Sequence, residues 1–152
     1  MRILITGGSG CVGYYLVQSL LEAGHELVLV VRSPEKLPPE VRAHRSVQIL
    51  PVDLRDIGAI RPALAGVQAA ILVATAWGGA EAEAVIRDAN LALTDALIAA
   101  GCGHVAYILD VTRGHHLAPA HGLGRNVVVG DCHRCVTCNS LFTFCTGHCG
   151  HI

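Results

Sequence analysis

A single lysine, no apolar run longer than a strand and almost no net charge mark this 152-residue chain. The formal charge of -1 at pH 7 provides neither a basic surface for a phosphate backbone nor a polybasic patch for an anionic membrane, so no nucleic acid and no membrane are expected as partners. Runs such as Leu27 to Val31 and Ala69 to Ala76 are too short to cross a bilayer, although 52% of the residues are hydrophobic. Met1-Arg2 leads directly into a strand-like run with no room for a signal peptide, which makes a reducing, cytoplasmic setting the expectation. The length suits one domain with a real core and is short for separate cofactor and substrate lobes.

Cysteine is not scarce, but it is unevenly placed. Cys11 and Cys102 stand alone, whereas Cys132, Cys135, Cys138, Cys145 and Cys149 crowd the end together with His115, His116, His121, His133, His148 and His151. Up to about residue 110 the pattern alternates strand runs (Arg2 to Thr6, Glu26 to Val31, Val47 to Val52, Ala69 to Ala74, His104 to Leu109) with helical patterns at 12–23, 34–43, 56–65 and 80–100. In the last of these, Val85, Ile86, Leu91, Leu93, Leu97 and Ile98 fall at helical spacings and Gly101 marks the stop. Right-handed crossovers then give an α/β fold: a Rossmann-type parallel sheet, strand order 3-2-1-4-5, with helices on both faces. From Asp110 the alternation fails. Residues 111–152 read as an irregular Cys/His-rich tail whose only strand-like runs are Asn126 to Val129 and Leu141 to Phe144, and a sheet stopping at strand five would leave an open, aggregation-prone edge.

Between the first strand and the first helix the chain reads TGGSGCVG, residues 6–13. The glycines satisfy G-x-G-x-x-G as Gly8, Gly10 and Gly13, and G-x-x-G-x-x-G as Gly7, Gly10 and Gly13. Such glycines allow a tight turn, close approach of backbone N–H groups to a pyrophosphate, and close packing of helix on sheet. The helix N-terminus adds unpaired amides and partial positive charge. Thr6, Gly7, Gly8, Ser9, Gly10, Cys11, Val12 and Gly13 are therefore the candidate phosphate cradle, with Cys11 read as a small buried filler rather than a redox-sensitive thiol. At the end of the second strand, where an acid would bind the ribose hydroxyls of NAD, stand Arg32 and Ser33. A guanidinium there suits a 2′-phosphate, so NADP is expected over NAD; a solvated arginine at a strand end is the bland alternative.

Residues 1–110 resemble the N-terminal half of the extended short-chain dehydrogenase/reductase superfamily, also called the NAD-dependent epimerase/dehydratase family. The resemblance rests on TGGSGCVG, Arg32, Asp53-Leu54, Ala74-Thr75-Ala76, and Asn90 with Thr94. It implies adenine contacts for Asp53 and Leu54, and contacts along the cofactor's ribose and nicotinamide for Ala74, Thr75 and Ala76. Asp53 otherwise reads as an acid preceding a helix, near Asp56. Asn90 matches the asparagine of the family's N-x-x-G-T pattern, with Leu93 in place of its glycine; a structural hydrogen-bonding role is equally open to it. A homodimer through helix 80–100 is a further implied partner mode.

The departures from that family are chemical. Its hydride-transferring members use a Tyr and a Lys four residues apart, the Lys depressing the Tyr pKa, with a Ser or Thr after the fifth strand. Here the lysine is Lys36 and the tyrosines are Tyr14, Tyr15 and Tyr107, none followed by lysine four residues on; Thr112 is at most a turn residue near the Ser/Thr position. No catalytic residue is assigned, and a small-molecule substrate is expected only of a complete relative. Cys132-x-x-Cys135-x-x-Cys138 with Cys145, His148, Cys149 and His151 offers soft zinc ligands without the paired couples of a zinc module. The composition of 111–152 favours a frameshifted or disrupted reading over a metal site. The leading expectation is an NADP-preferring dinucleotide-binding domain, catalytically incomplete as written. A non-catalytic NADP-sensing module and a zinc-dependent interaction module are the alternatives.

Overall fold

Alternate residues of each central strand enter different cores, as a parallel sheet covered on both faces requires. Leu4, Val28, Val30, Ala70, Leu72 and Val105 point to one side, and Ile3, Ile5, Leu27 and Leu29 to the other. The computed structural model describes residues 1–74, 79, 82, 84–109 and 127–131. Its strands are β1 (Arg2–Thr6), β2 (Glu26–Val30), β3 (Val47–Leu50), β4 (Ala69–Leu72), β5 (His104–Leu109) and β6 (Val127–Asp131). They pair in the order β3-β2-β1-β4-β5-β6, every pair parallel.

The first five strands reproduce the expected order 3-2-1-4-5. A sixth strand, within the segment where Asn126 to Val129 read as strand-like, continues the sheet: Val105 to Leu109 pair with Val127 to Asp131, so β5 is not an open edge. The β-branched run Val127-Val128-Val129 is the local reason a strand forms in a segment read as irregular.

Helix α1 (Cys11–Glu22) joins β1 to β2 and buries Gly13, Leu16 and Val17. Its core also takes Leu37 and Val41, the latter from α2 (Pro39–Arg42). The continuous helix expected over 34–43 is instead a 3-10 turn (Pro34–Lys36) followed by α2. Leu37 and Pro38 are extended at ψ 145° and 144°, the conformation a following proline imposes. Likewise 56–65 is split into α3 (Ile57–Ile60) and a 3-10 turn (Arg61–Leu64) carrying Pro62. On the opposite face α4 (Asn90–Ala99) buries Asn90, Leu93, Thr94, Ala96 and Leu97, and the π-helical stretch before it, Ala84–Ala89, buries Ala89. Leu91 and Ile98, expected on the apolar stripe, face outward at 48% and 47% exposure because the neighbouring positions 93, 94, 96 and 97 already meet the sheet.

Candidate functional site

The strand order reverses between β1 and β4, and the turn after β1 stands at that point. Such a switch point at the carboxyl ends of the strands is where open α/β sheets bind ligands. Thr6 is fully buried there; its Oγ1 accepts from the amides of Val73 at 3.1 Å and Ala74 at 3.2 Å, fastening the end of β1 to the end of β4. Gly7 follows at φ +71°, and a Cβ on it would lie 2.8 Å from the Ala74 amide nitrogen. The Gly10 amide donates to the Gly7 carbonyl at 3.0 Å, and Gly10 caps α1 with no side-chain cap bond. A Cβ on Gly13 would overlap that same Gly7 carbonyl and approach Gly8 Cα to 2.8 Å. Gly8 is different: a methyl there would meet Val17 and Leu29 side chains at ordinary distances of 3.5 and 3.7 Å. Of the two spacings in the sequence, Gly7, Gly10 and Gly13 are thus the ones the backbone uses.

Ser9, Gly10 and Cys11 are exposed at the mouth of this turn, and Val12 is half-buried. The exposure of Cys11 corrects its reading as a buried filler: as the first residue of α1 it projects off the helix end instead of into the sheet. The first backbone bond back into the turn comes from Tyr14, whose amide donates to the Gly10 carbonyl at 2.8 Å. The amides of the first helical turn before it have no intrahelical acceptor and form an anion-facing end. No acidic residue stands in that turn to compete. The cradle a side chain would fill, together with these amides, fits a dinucleotide's pyrophosphate.

Beyond the turn lies a charged rim. Arg32 and half-buried Ser33 follow β2, Asp53 follows β3, and the two strand ends are tied by the Val31 amide donating to Leu50 at 3.1 Å. Arg32 is exposed and has no ion-pair partner among the described residues. Both Asp53 oxygens are engaged by Arg55: Nε donates to Oδ1 and Nη2 to Oδ2, each at 2.9 Å, and the Arg55 amide also donates to Oδ1. These bonds hold the carboxyl down at about 2, with the Arg55 and Arg32 charges adding to the effect. The helix cap nearby is Asp56, whose Oδ1 accepts from the Ala59 amide at 3.0 Å, so Asp53 is not the capping acid. Leu54 is buried in the core beneath.

Other expected positions lie elsewhere or outside the described residues. Ala74 abuts Gly7, but Thr75 and Ala76 lie outside the described residues, as do Thr112 and the cysteine cluster from Cys132 onward. Asn90 sits in the core at 4% exposure, its Nδ2 donating to the Tyr107 hydroxyl at 3.1 Å and to the Val85 carbonyl at 3.3 Å. Burial pushes the Tyr107 phenol up to about 12, which unsuits it to proton transfer near neutrality. Arg55 is the rim residue that sequence reasoning missed; the only signal was the alternation of charge in Asp53-Leu54-Arg55-Asp56. A cleft of about 270 Å³ lined by Arg2, Glu26, Arg45, Ser46 and Gln48 lies at the opposite ends of the strands, without glycine turn or helix terminus.

A parallel sheet with a glycine turn at its switch point defines a dinucleotide-binding Rossmann protein. The family model described as NAD(P)H-binding matches residues 7–130, and the chain belongs to that family, with the fold of the short-chain dehydrogenase/reductases and epimerases. It is 35% identical over 136 residues to a 2-alkyl-3-oxoalkanoate reductase of Stenotrophomonas maltophilia, covering 84% of this chain and 39% of the reductase. It is 41% identical over 66 residues to a 3-beta-hydroxysteroid dehydrogenase of Mycolicibacterium neoaurum, covering 43% of this chain and 17% of that enzyme. Among solved structures, the Bordetella bronchiseptica enzyme WbmG in complex with NAD matches with a TM-score of 0.64 and 26% identity, over 72% of this chain and 37% of that one. The chain therefore spans well under half the length of these relatives. No helix among the described residues is long and apolar enough to cross a membrane.

Proposed function

We propose that the chain is the dinucleotide-binding region of a reductase- or epimerase-type oxidoreductase, that it prefers NADP to NAD, and that it lacks a complete catalytic set. The observation that carries the reading is Gly13, where an added Cβ would overlap the Gly7 carbonyl, so that the turn and the start of α1 meet backbone to backbone. The first-turn amides of α1, with Ser9 and Gly10 at the mouth, hold the pyrophosphate, and Arg32 takes the 2′-phosphate. When bound, the nicotinamide supplies hydride transfer with a small-molecule carbonyl or alcohol. Titration of the full chain with NADPH and NADH, each followed by fluorescence, tests this: NADPH binds in the micromolar range or tighter, and more tightly than NADH. A cooperatively folded sample that binds neither would sink the reading.

A second reading, a module that senses NADP without turning it over, is favoured by the burial of Tyr107 and by the placement of Lys36 in an exposed 3-10 turn. Turnover of any carbonyl substrate by this chain excludes it. The domain boundary belongs to the same proposal. Pairing of β6 with β5 and a family match reaching residue 130 support a domain running beyond the expected boundary at 110, to Asp131. The outward Leu91 and Ile98 of α4 support a homodimer through that helix, and the free thiols of Cys11 and Cys102 suit a cytoplasmic setting.

A further inference from the structure

Beside the glycine turn Arg32, Asp53 and Arg55 bring two guanidinium groups to one carboxylate, and their arrangement is not symmetric. Arg32 and Asp53 leave the sheet from adjacent parallel strands, so an unoccupied carboxylate at Asp53 would be a natural partner for Arg32. The structure pairs it otherwise. Arg55 grips both Asp53 oxygens in a fork with two 2.9 Å bonds, while Arg32 stays exposed without an ion pair among the described residues. Arg55 and Asp53 cancel as a pair and Asp56 is engaged as the cap of α3, which leaves the Arg32 guanidinium without an ion pair among the described residues at the strand end where a 2′-phosphate would lie.

We propose that Arg55 is a positioning residue for cofactor choice: by neutralising Asp53 it keeps Arg32 available and removes a carboxylate that would otherwise repel the 2′-phosphate. The inference rests on the NADP reading above. It assigns Arg55 no contact with the cofactor. Its action is through the charge of Asp53, a carboxylate ionised at physiological pH that Arg55 neutralises through both oxygens. Arg supplies a charge that never titrates and a planar fork matched to the carboxylate, neither of which glutamine offers.

The test uses the full chain and two probes that differ only in the group at issue, 2′,5′-ADP and 5′-ADP-free 5′-AMP, titrated by calorimetry. The wild type binds 2′,5′-ADP more tightly than AMP. Arg55→Gln lowers that ratio about three- to fivefold, the size of exposed charge interactions, while AMP binding changes little. Adding Asp53→Asn to Arg55→Gln restores most of the ratio, because the unpaired carboxylate is gone; Arg55→Lys retains part of it through charge alone. Melting curves on each variant separate loss of fold from loss of choice. Equal weakening of both probes by Arg55→Gln, or no recovery with Asp53→Asn, overturns the proposal and leaves the NADP reading standing. A wild type that binds the two probes equally overturns both the inference and the NADP preference, and one that binds neither overturns the dinucleotide reading itself.

Discussion

The turn after β1 and the turn after β3 both stand at the carboxyl ends of the strands and are held by opposite kinds of force. The first is held by exclusion: Gly7 at φ +71° lies against Ala74, Gly13 lies against Gly7, and Thr6 is buried beneath them. Close packing of backbone on backbone tolerates no added atom and is indifferent to salt or pH. The second is held by an exposed fork between Arg55 and Asp53, whose side chains remain 51% and 31% accessible. Such a pair is weak and screened, and it can be rewritten by one substitution. Rigid sterics thus shape the turn that faces a dinucleotide's phosphates, and on the proposed reading soft charges set which dinucleotide is preferred.

Substituting Gly13 is the strongest way to test the rigid half. Gly13→Ala drives a methyl into the Gly7 carbonyl and is expected to cost about 3 kcal/mol of stability and to abolish NADPH binding, read by urea unfolding and titration. Gly8→Ala, in ordinary contact with Val17 and Leu29, is expected to leave both nearly unchanged. Comparable losses at the two positions would erase the distinction drawn between them.

The buried Asn90–Tyr107 pair extends the rigid class to the other face of the sheet. Tyr107→Phe removes the acceptor of the Asn90 amide and is expected to cost about 1.5 kcal/mol without altering NADPH affinity. Its pH signature has a definite sign. The phenol titrates near 10.0 when unfolded and is pushed up to about 12 by burial when folded, so its contribution is fully present below pH 10 and is lost as pH rises toward 12. Tyr107→Phe lacks that alkaline limb. A variant with reduced NADPH affinity would instead place Asn90 and Tyr107 at the cofactor.

The two halves also differ in how far they could be read from the sequence. Strand runs and the glycine turn were legible because both are local: period and spacing suffice, and the sheet order followed from right-handed crossovers. Which glycine is obligatory was not, because the answer depends on Ala74, more than sixty residues away. The Pro38-Pro39 break in 34–43 was visible in the letters and outweighed by the helical pattern around it. β6 was legible as a strand-like run at Asn126 to Val129, but its place in the sheet was not, because the Gly, His and Cys around it carry no alternating pattern. Arg55 escaped because pairing two residues apart in a turn obeys neither helix nor strand periodicity, so only coordinates reveal the fork.

On the soft half, Arg32→Glu is the direct probe. It exchanges an exposed cation for an anion where the 2′-phosphate is expected, and NADPH affinity should fall at least about tenfold while NADH affinity holds or rises. Stability should stay within about 0.5 kcal/mol, since Arg32 is exposed and makes no ion pair among the described residues. A loss shared equally by both cofactors would reduce Arg32 to a solvated strand end.

The smallest expected effect is the acid limb of stability. Asp53 has its carboxyl lowered from 3.8 to about 2 by the hydrogen bonds and charge of Arg55. A depressed acid contributes stability above its unfolded pKa and loses it as pH falls through the folded value, here between about 4 and 2. Because the pair is exposed, solvent screening holds the contribution to about 0.5 kcal/mol. Asp53→Asn should flatten that part of a stability-versus-pH curve, and added salt should shrink the difference between the two proteins. The Gly13→Ala deficit, which has no charge to screen, should be the same at both salt concentrations. Salt dependence in the glycine variant, or its absence in the aspartate variant, would mean that packing and charge are not divided between the two turns in this way.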